Sequence, residues 1–212
     1  MSPPIRVLLA DDHVVIRRGL RALIEAQSDL TVCAEAGDGR AAVEMAVEHK
    51  PDVAVLDISL PILNGVEATR RLKREAPQTK VLIYTMHEED RLIGEALHAG
   101  ARGYLVKSQE EDIIRAIRTL ARNGTFFSGA AYEILLRSFQ TDVVEDAARL
   151  TPREREIVQL IAEGNTNRQI AQFFDIRLKT VETHRSSAMR RLKTRTTAEL
   201  VRYAIRNKWI QP

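Results

Sequence analysis

Five short apolar runs punctuate the first half of the chain: "IRVLLA" (5–10), "TVCAEA" (31–36), "VAVLD" (53–57), "KVLIYT" (80–85) and "GYLVK" (103–107). Between them lie stretches such as "HVVIRRGLRALIEAQ" and "EEDIIRAIRTLARNG", whose apolar residues recur every three or four positions, the period of an amphipathic helix. Strands alternating with helices predict an α/β fold, a doubly wound five-stranded parallel sheet with helices on both faces. Near-continuous apolar strands agree with burial on both sides. The second run is polar enough to lie at an edge.

Past residue 122 the pattern changes. "RNGT" offers an Asn-Gly turn, "AAYEILLRSF" (130–139) reads as a short amphipathic helix, and "QTDVVEDAAR" (140–149) as a polar tether. From Leu150 onward the chain is rich in helix punctuation. Thr151 is placed as an N-cap, with Pro152 at the first helical position and Glu154 closing a capping box. Gly164 stops that helix, and Thr166 with Gln169 makes a second box. A short helix to about Phe174, a brief turn, a longer helix near 178–192 and a fourth over "TTAELVRYAIRNKWI" complete the pattern. Two helices joined by a short turn, the second amphipathic and basic, describe a helix-turn-helix. The expected organisation is an α/β unit over 1–124, a linker over 125–148 and a small all-α unit over 149–212.

Charge sharpens this division. Residues 1–147 carry 18 Lys/Arg against 23 Asp/Glu, whereas residues 148–212 carry 14 against 6. An acidic front joined to a basic back predicts that the back meets a polyanion, here double-stranded DNA. No apolar run is long enough to span a bilayer and the N-terminus lacks the pattern of a signal peptide, so no membrane association is expected. Cys33 is the sole cysteine, which excludes an internal disulfide or a zinc cluster and fits a reducing cytoplasm.

The chemistry sits where the strands end. In doubly wound sheets the working crevice lies beyond the carboxyl ends of the strands. There the sequence places Asp11 and Asp12 after the first strand, Asp57 at the end of the third, Thr85 at the end of the fourth and Lys107 at the end of the fifth. Three carboxylates brought together repel one another, and a divalent cation that prefers oxygen ligands, Mg²⁺ above all, relieves that repulsion. Lys107 adds a positive charge and Thr85 a hydroxyl donor, which gives the set phosphoryl transfer needs. On the third helix of the back unit, Val181, Ala188 and Leu192 are expected to face the core. Glu182, Thr183, Arg185, Ser186 and Arg190 lie on the opposite side, suited to base edges in a major groove. Lys179, Arg185, Arg190, Arg191 and Lys193 are candidates for phosphate contacts.

"LLADDH", "VLDISLP", "LIYTMH" and "GYLVKS" resemble the receiver domain of two-component response regulators, a flavodoxin-like fold, over residues 5–122. "LTPRERE", "GNTNRQIA" and "KTVETH" resemble the LuxR-type DNA-binding domain over about 149–212. The combination is similar to the NarL/FixJ subfamily. The resemblance implies that Asp57 accepts a phosphoryl group from a phosphohistidine of a sensor histidine kinase, and that Asp11, Asp12, Asp57 and the Ser59 carbonyl hold Mg²⁺. It further implies that Lys107 pairs with the phosphoryl oxygens, that Thr85 moves to bond them, and that Tyr104 is the aromatic switch. Glu182, Thr183 and Ser186 then face the groove, and His184 is phosphate-facing or structural. Leu200, Val201, Ala204 and Ile205 become candidate dimer contacts of a homodimer that forms on phosphorylation. The chain departs from the common pattern at Ser108, where proline often follows the lysine, and at Met86, where a small residue is frequent. It departs again at Arg177, where a serine usually caps the recognition helix, and at Lys193, where glycine often follows it.

The function these features imply is a phosphorylation-dependent transcriptional regulator and not an enzyme. The receiver hides or misorients the basic unit until Asp57 is phosphorylated, and dimers then bind half-sites about one helical turn apart. An Asp-nucleophile phosphatase shares the sheet, the metal and the lysine. It places its nucleophile after the first strand with a second acid two residues on, whereas Asp11 and Asp12 are adjacent. A receiver that acts through protein partners alone is the third possibility, and salt-sensitive DNA affinity separates it from the first.

Overall fold

The computed structural model describes residues 3–127, 131–133 and 150–210. Six parallel strands form one sheet in the order β2-β1-β3-β4-β5-β6, with β1 Ile5–Ala10, β2 Leu30–Ala36, β3 Val53–Leu56, β4 Lys80–Thr85, β5 Gly103–Val106 and β6 Phe126–Phe127. The expected count of five is one too low. β6 is two residues long and pairs only as Gly103 with Phe126 and Tyr104 with Phe127, too short to leave an apolar run. β2 lies at the edge, as its polarity predicted.

The five connecting helices are α1 Val14–Glu25, α2 Gly39–His49, α3 Gly65–Glu75, α4 Asp90–Ala99 and α5 Ile113–Ala121. Leu20 and Ile24 of α1 share one face of the sheet with Ile113, Ala116, Ile117 and Leu120 of α5. The other face takes Val43 and Ala46 of α2, Ala68 and Leu72 of α3, and Leu92, Ile93 and Ala96 of α4. Each fully buried Leu or Ile removes enough apolar surface to contribute roughly 1.5–3 kcal/mol. The Asn-Gly turn forms, with Asn123 at φ 62° and Gly124 N–H donating to the Thr119 carbonyl at 3.0 Å. Ala131 is buried against the α2–α4 face; most of the helix expected over 130–139, and the tether over 140–149, lie outside the described residues.

Residues 150–210 form a second core on four helices: α6 Pro152–Ala162, α7 Asn167–Phe173, α8 Leu178–Arg191 and α9 Thr197–Arg206. Both capping boxes are present, Thr151 with Glu154 and Thr166 with Gln169. Each satisfies two backbone donors that a helix start leaves unpaired. Gly164 takes φ 90° just past α6, a conformation open to glycine at little cost. Val181 and Ala188 of α8 enter the core, and Leu192 packs against it.

α6 is buried nearly all round because it also docks on the first unit. Arg155 and Gln159, with Glu163 at its C-cap, follow an i, i+4, i+8 stripe along one face. Arg155 Nε lies 2.6 Å from Glu67 of α3. Gln159, wholly buried, donates to the Leu60 carbonyl at 2.9 Å and accepts from the backbone and side-chain amides of Asn64 at 2.9 and 3.1 Å. Glu163 accepts from the Ile62 amide at 2.9 Å. Arg71 pairs with Glu156, and Arg40 donates to the Phe173 carbonyl at 3.2 Å. All of these partners on the first unit except Arg40 lie in the loop after β3 or on α3.

Candidate functional site

The carboxyl ends of the strands bring the expected residues together. Asp11 follows β1 directly, Asp57 follows β3, Thr85 closes β4 and Lys107 follows β5. Asp57 is 4 % exposed, and its backbone amide donates to the Ala10 carbonyl at 2.9 Å, which ties the ends of β1 and β3 together. Gly65 is required behind it: a Cβ there would lie 2.1 Å from the Asp57 carbonyl oxygen, so α3 starts against the acid only because that residue is glycine. Asn64 caps α3 by accepting from the Glu67 amide at 3.0 Å.

Lys107 Nζ reaches Asp11 Oδ2 at 2.6 Å and Asp57 Oδ2 at 3.5 Å, with its side chain almost wholly buried. Asp57 Oδ1 accepts from the Ile58 amide at 2.8 Å. Burial raises the Asp57 pKa above its ordinary value, with Asp11 adding to that effect. Lys107, the Thr85 hydroxyl and the Ile58 amide oppose it. The result is a shielded carboxylate with an ammonium beside it.

Asp11, Asp12 and His13 present ligand atoms within 4.8 Å of one another. His13 Nδ1 lies 2.8 Å from Asp12 Oδ1, yet that buried oxygen accepts no hydrogen bond of sound geometry. A sequestered carboxylate oxygen beside a second carboxylate is where a hard divalent cation fits. Sequence reasoning did not single out His13, whose only signal was its place in "ADDH".

Thr85 is fully buried, and its Oγ accepts from the His87 amide at 3.4 Å. Tyr104 is also fully buried, and its hydroxyl donates to the His87 carbonyl at 2.8 Å. Burial pushes the phenol pKa well up, with Glu89 and Asp57 adding to that, so the hydroxyl acts as a donor. His87 Nε2 lies 3.3 Å from Ser59 Oγ. His87 therefore links the loop after β3, the end of β4 and Tyr104; nothing in "TMHEE" marked it. Met86 is 69 % exposed and turns away from the buried site. No peptide bond is cis among the described residues, so the Lys107–Ser108 link is trans.

In the helical unit, Lys179, Glu182, Thr183, Ser186 and Arg190 of α8 are exposed, and His184 is half-buried. The outward face of α8 is thus uncovered; the first unit covers α6 and not the candidate groove reader. Arg185 bonds Asn167 of α7 at 3.2 Å and Thr197 of α9 at 2.6 Å, so it also braces the unit. Arg191 lies 3.4 Å from Glu154. Arg177 precedes α8 without a side-chain cap, and Lys193 adopts φ 55°. Of the four candidate dimer residues, Leu200 and Ala204 are wholly buried in the unit's own core. An apolar stripe at i, i+4 is used up there, and only Val201 and Ile205 stay partly exposed.

Residues 7–118 match the family described as response regulator receiver domain, and residues 148–204 match bacterial regulatory proteins of the luxR family. The chain is 37 % identical over 96 % of its length to a transcriptional regulatory protein, MctR, of Rhizobium johnstonii, covering 94 % of that protein. It is 36 % identical over 97 % of its length to the oxygen regulatory protein NreC of Staphylococcus epidermidis, covering 99 % of it. A solved structure of RcsB from Salmonella enterica serovar Typhimurium, bound to a promoter in the presence of the phosphomimetic BeF3⁻, aligns with a TM-score of 0.58 at 25 % identity. That alignment covers 94 % of this chain and 97 % of the other. Among the described residues no helix is long and apolar enough to cross a membrane.

Proposed function

Because this chain belongs to the response regulators that join a receiver to a LuxR-type DNA-binding domain, we propose that it is a transcriptional regulator whose DNA binding is set by phosphorylation of Asp57. The observation that carries the reading is the pairing of Lys107 with both Asp11 and Asp57 in a buried crevice at the strand ends. A carboxylate held there by a fixed cation is an oriented nucleophile rather than a solvated acid.

In this reading an Asp57 oxygen attacks the phosphorus of a phosphohistidine on a sensor histidine kinase. The P–N bond breaks, an acyl phosphate forms on Asp57, and the imidazole leaves and takes up a proton. Lys107 pairs with the phosphoryl oxygens. The Thr85 hydroxyl turns towards them, which withdraws it from the His87 amide and loosens the seat of Tyr104. Asp11, Asp12, Asp57 and the Ser59 carbonyl would hold Mg²⁺, whose charge offsets that of the carboxylates and the phosphoryl oxygens. Released helical units pair as a homodimer through the exposed parts of Val201 and Ile205. Glu182, Thr183 and Ser186 then read base edges, while Lys179 and Arg190 hold phosphates, with His184 beside them. Because α8 already faces outward, control rests on where the unit is held.

The test is DNA binding by the full chain with and without a small phosphodonor and Mg²⁺. Wild type gains affinity with the donor and Asp57→Ala does not; equal stimulation of the two ends the reading. DNA affinity that does not fall steeply with salt favours the protein-partner alternative.

A further inference from the structure

The loop after β3 carries a strained residue. Ile62 sits at φ 68°, a left-handed conformation that a β-branched side chain adopts only when its surroundings enforce it. The helical unit supplies that enforcement. The Ile62 side chain packs against the core of the helical unit, and its amide donates to Glu163 Oε1. Gln159 Nε2 donates to the same oxygen at 2.9 Å. Glu163 thus holds a carboxylate at the junction, and Asp12, Ser59, Leu60 and Pro61 line one cleft of about 380 Å³ with Glu163 and Trp209. The carboxylate has no basic partner among its described contacts; its near neighbours are amide donors and, from the start of α2, the acid Asp38.

We propose that Glu163 is the charge sensor through which phosphorylation of Asp57 ejects the DNA-binding unit. The inference rests on Asp57 being the phosphoacceptor. Before transfer, Asp11, Asp12 and Asp57 are balanced by Lys107 and a divalent cation. Transfer replaces a singly charged carboxylate with an acyl phosphate carrying about two negative charges, so the crevice becomes net negative. Glu163, which shares the cleft of Asp12, is then repelled. Its departure frees the Ile62 amide, and Ile62 relaxes from its left-handed conformation, which opposes re-docking.

Hydrogen exchange on the full chain tests this, since the amides of Ile62 and Asn64 are bonded to side chains of the helical unit alone. With phosphoramidate and Mg²⁺ as the donor, wild type is expected to lose at least about 10-fold of the protection at both amides. Glu163→Gln keeps the acceptor oxygen without the charge. It should be protected beforehand and lose less than about threefold, although mass spectrometry shows equal phosphorylation. Glu163→Ala should be unprotected at Ile62 throughout while α8 amides stay protected, which shows the unit still folds. Equal release in wild type and Glu163→Gln overturns the proposal, as does an undocked Glu163→Gln before the donor is added. Phosphorylated wild type that keeps its protection overturns it while sparing the functional reading. If Asp57 takes no phosphoryl group, the functional reading fails and the proposal falls with it.

Discussion

Lys107 Nζ lies closer to Asp11 than to Asp57, 2.6 against 3.5 Å. The ammonium therefore spans the acid placed for metal and the acid placed for the phosphoryl group. Removing the Asp11 charge leaves it to Asp57 alone and takes away a carboxylate ligand. Asp11→Asn is expected to weaken Mg²⁺ binding by about 10–100-fold or more. Trp209, the only tryptophan, lines the cleft beside Asp12, so a Mg²⁺ titration followed by its fluorescence measures this. Unchanged affinity would place the cation elsewhere.

Arg190 and Glu182 of α8 are both exposed but are assigned different work. Arg190→Ala should weaken binding about equally to every DNA sequence and shrink the slope of log affinity against log salt by about 1. Glu182→Ala should leave that slope nearly unchanged and relax preference at one base position, by about 1–3 kcal/mol. Binding to a target and a scrambled duplex over a salt series separates the two.

Lys193 ends α8 at φ 55°, where a side chain costs about 1 kcal/mol relative to glycine. Lys193→Gly is expected to raise the stability of the helical unit by about that amount despite removing a basic residue. Thermal unfolding monitored through Trp209 in the helical core checks it. A destabilised variant would mean that the lysine side chain has a structural role.

Docking should depend on pH through Glu163. Burial holds its pKa above the ordinary carboxylate value, with Asp38 adding to the effect and its bonds to Gln159 and Ile62 opposing it. The docked form therefore binds its proton more tightly than the undocked form. This contribution to docking is complete below the ordinary value and is lost as pH rises through the raised one. Exchange at the Ile62 amide, corrected for its intrinsic pH dependence, should slow as pH falls through that window. Glu163→Gln should flatten the trend, and a wild-type trend of opposite sign would refute the linkage.

The strand-end residues were legible because two strong regularities act together. Buried parallel strands leave continuous apolar runs, and the doubly wound topology fixes which end of each run opens on the crevice. Asp11, Asp57, Thr85 and Lys107 could then be placed together from position alone, as could the capping residues Thr151 and Thr166, whose bonds are local. The inward turn of Leu200 and Ala204 was not legible, since an apolar stripe reads the same whether it covers its own core or a partner. The docking face of α6 was hidden for the opposite reason. Arg155, Gln159 and Glu163 are polar, and polar stripes on helices usually meet water. His87 gave no signal because its role depends on backbone atoms that every residue possesses.

The contacts by which α6 holds the first unit are mostly ion pairs and amide bonds, from Arg155–Glu67 to Gln159–Asn64. Such a seam is wettable. When it parts, its ion-pair and amide groups can be hydrated at once, and Ile62 is uncovered with them. Parting returns the buried ions to water, and that hydration offsets much of the attraction lost between them. A seam of leucines would have made the two halves one permanent body. A seam of ion pairs and amides suits two halves that must part and rejoin.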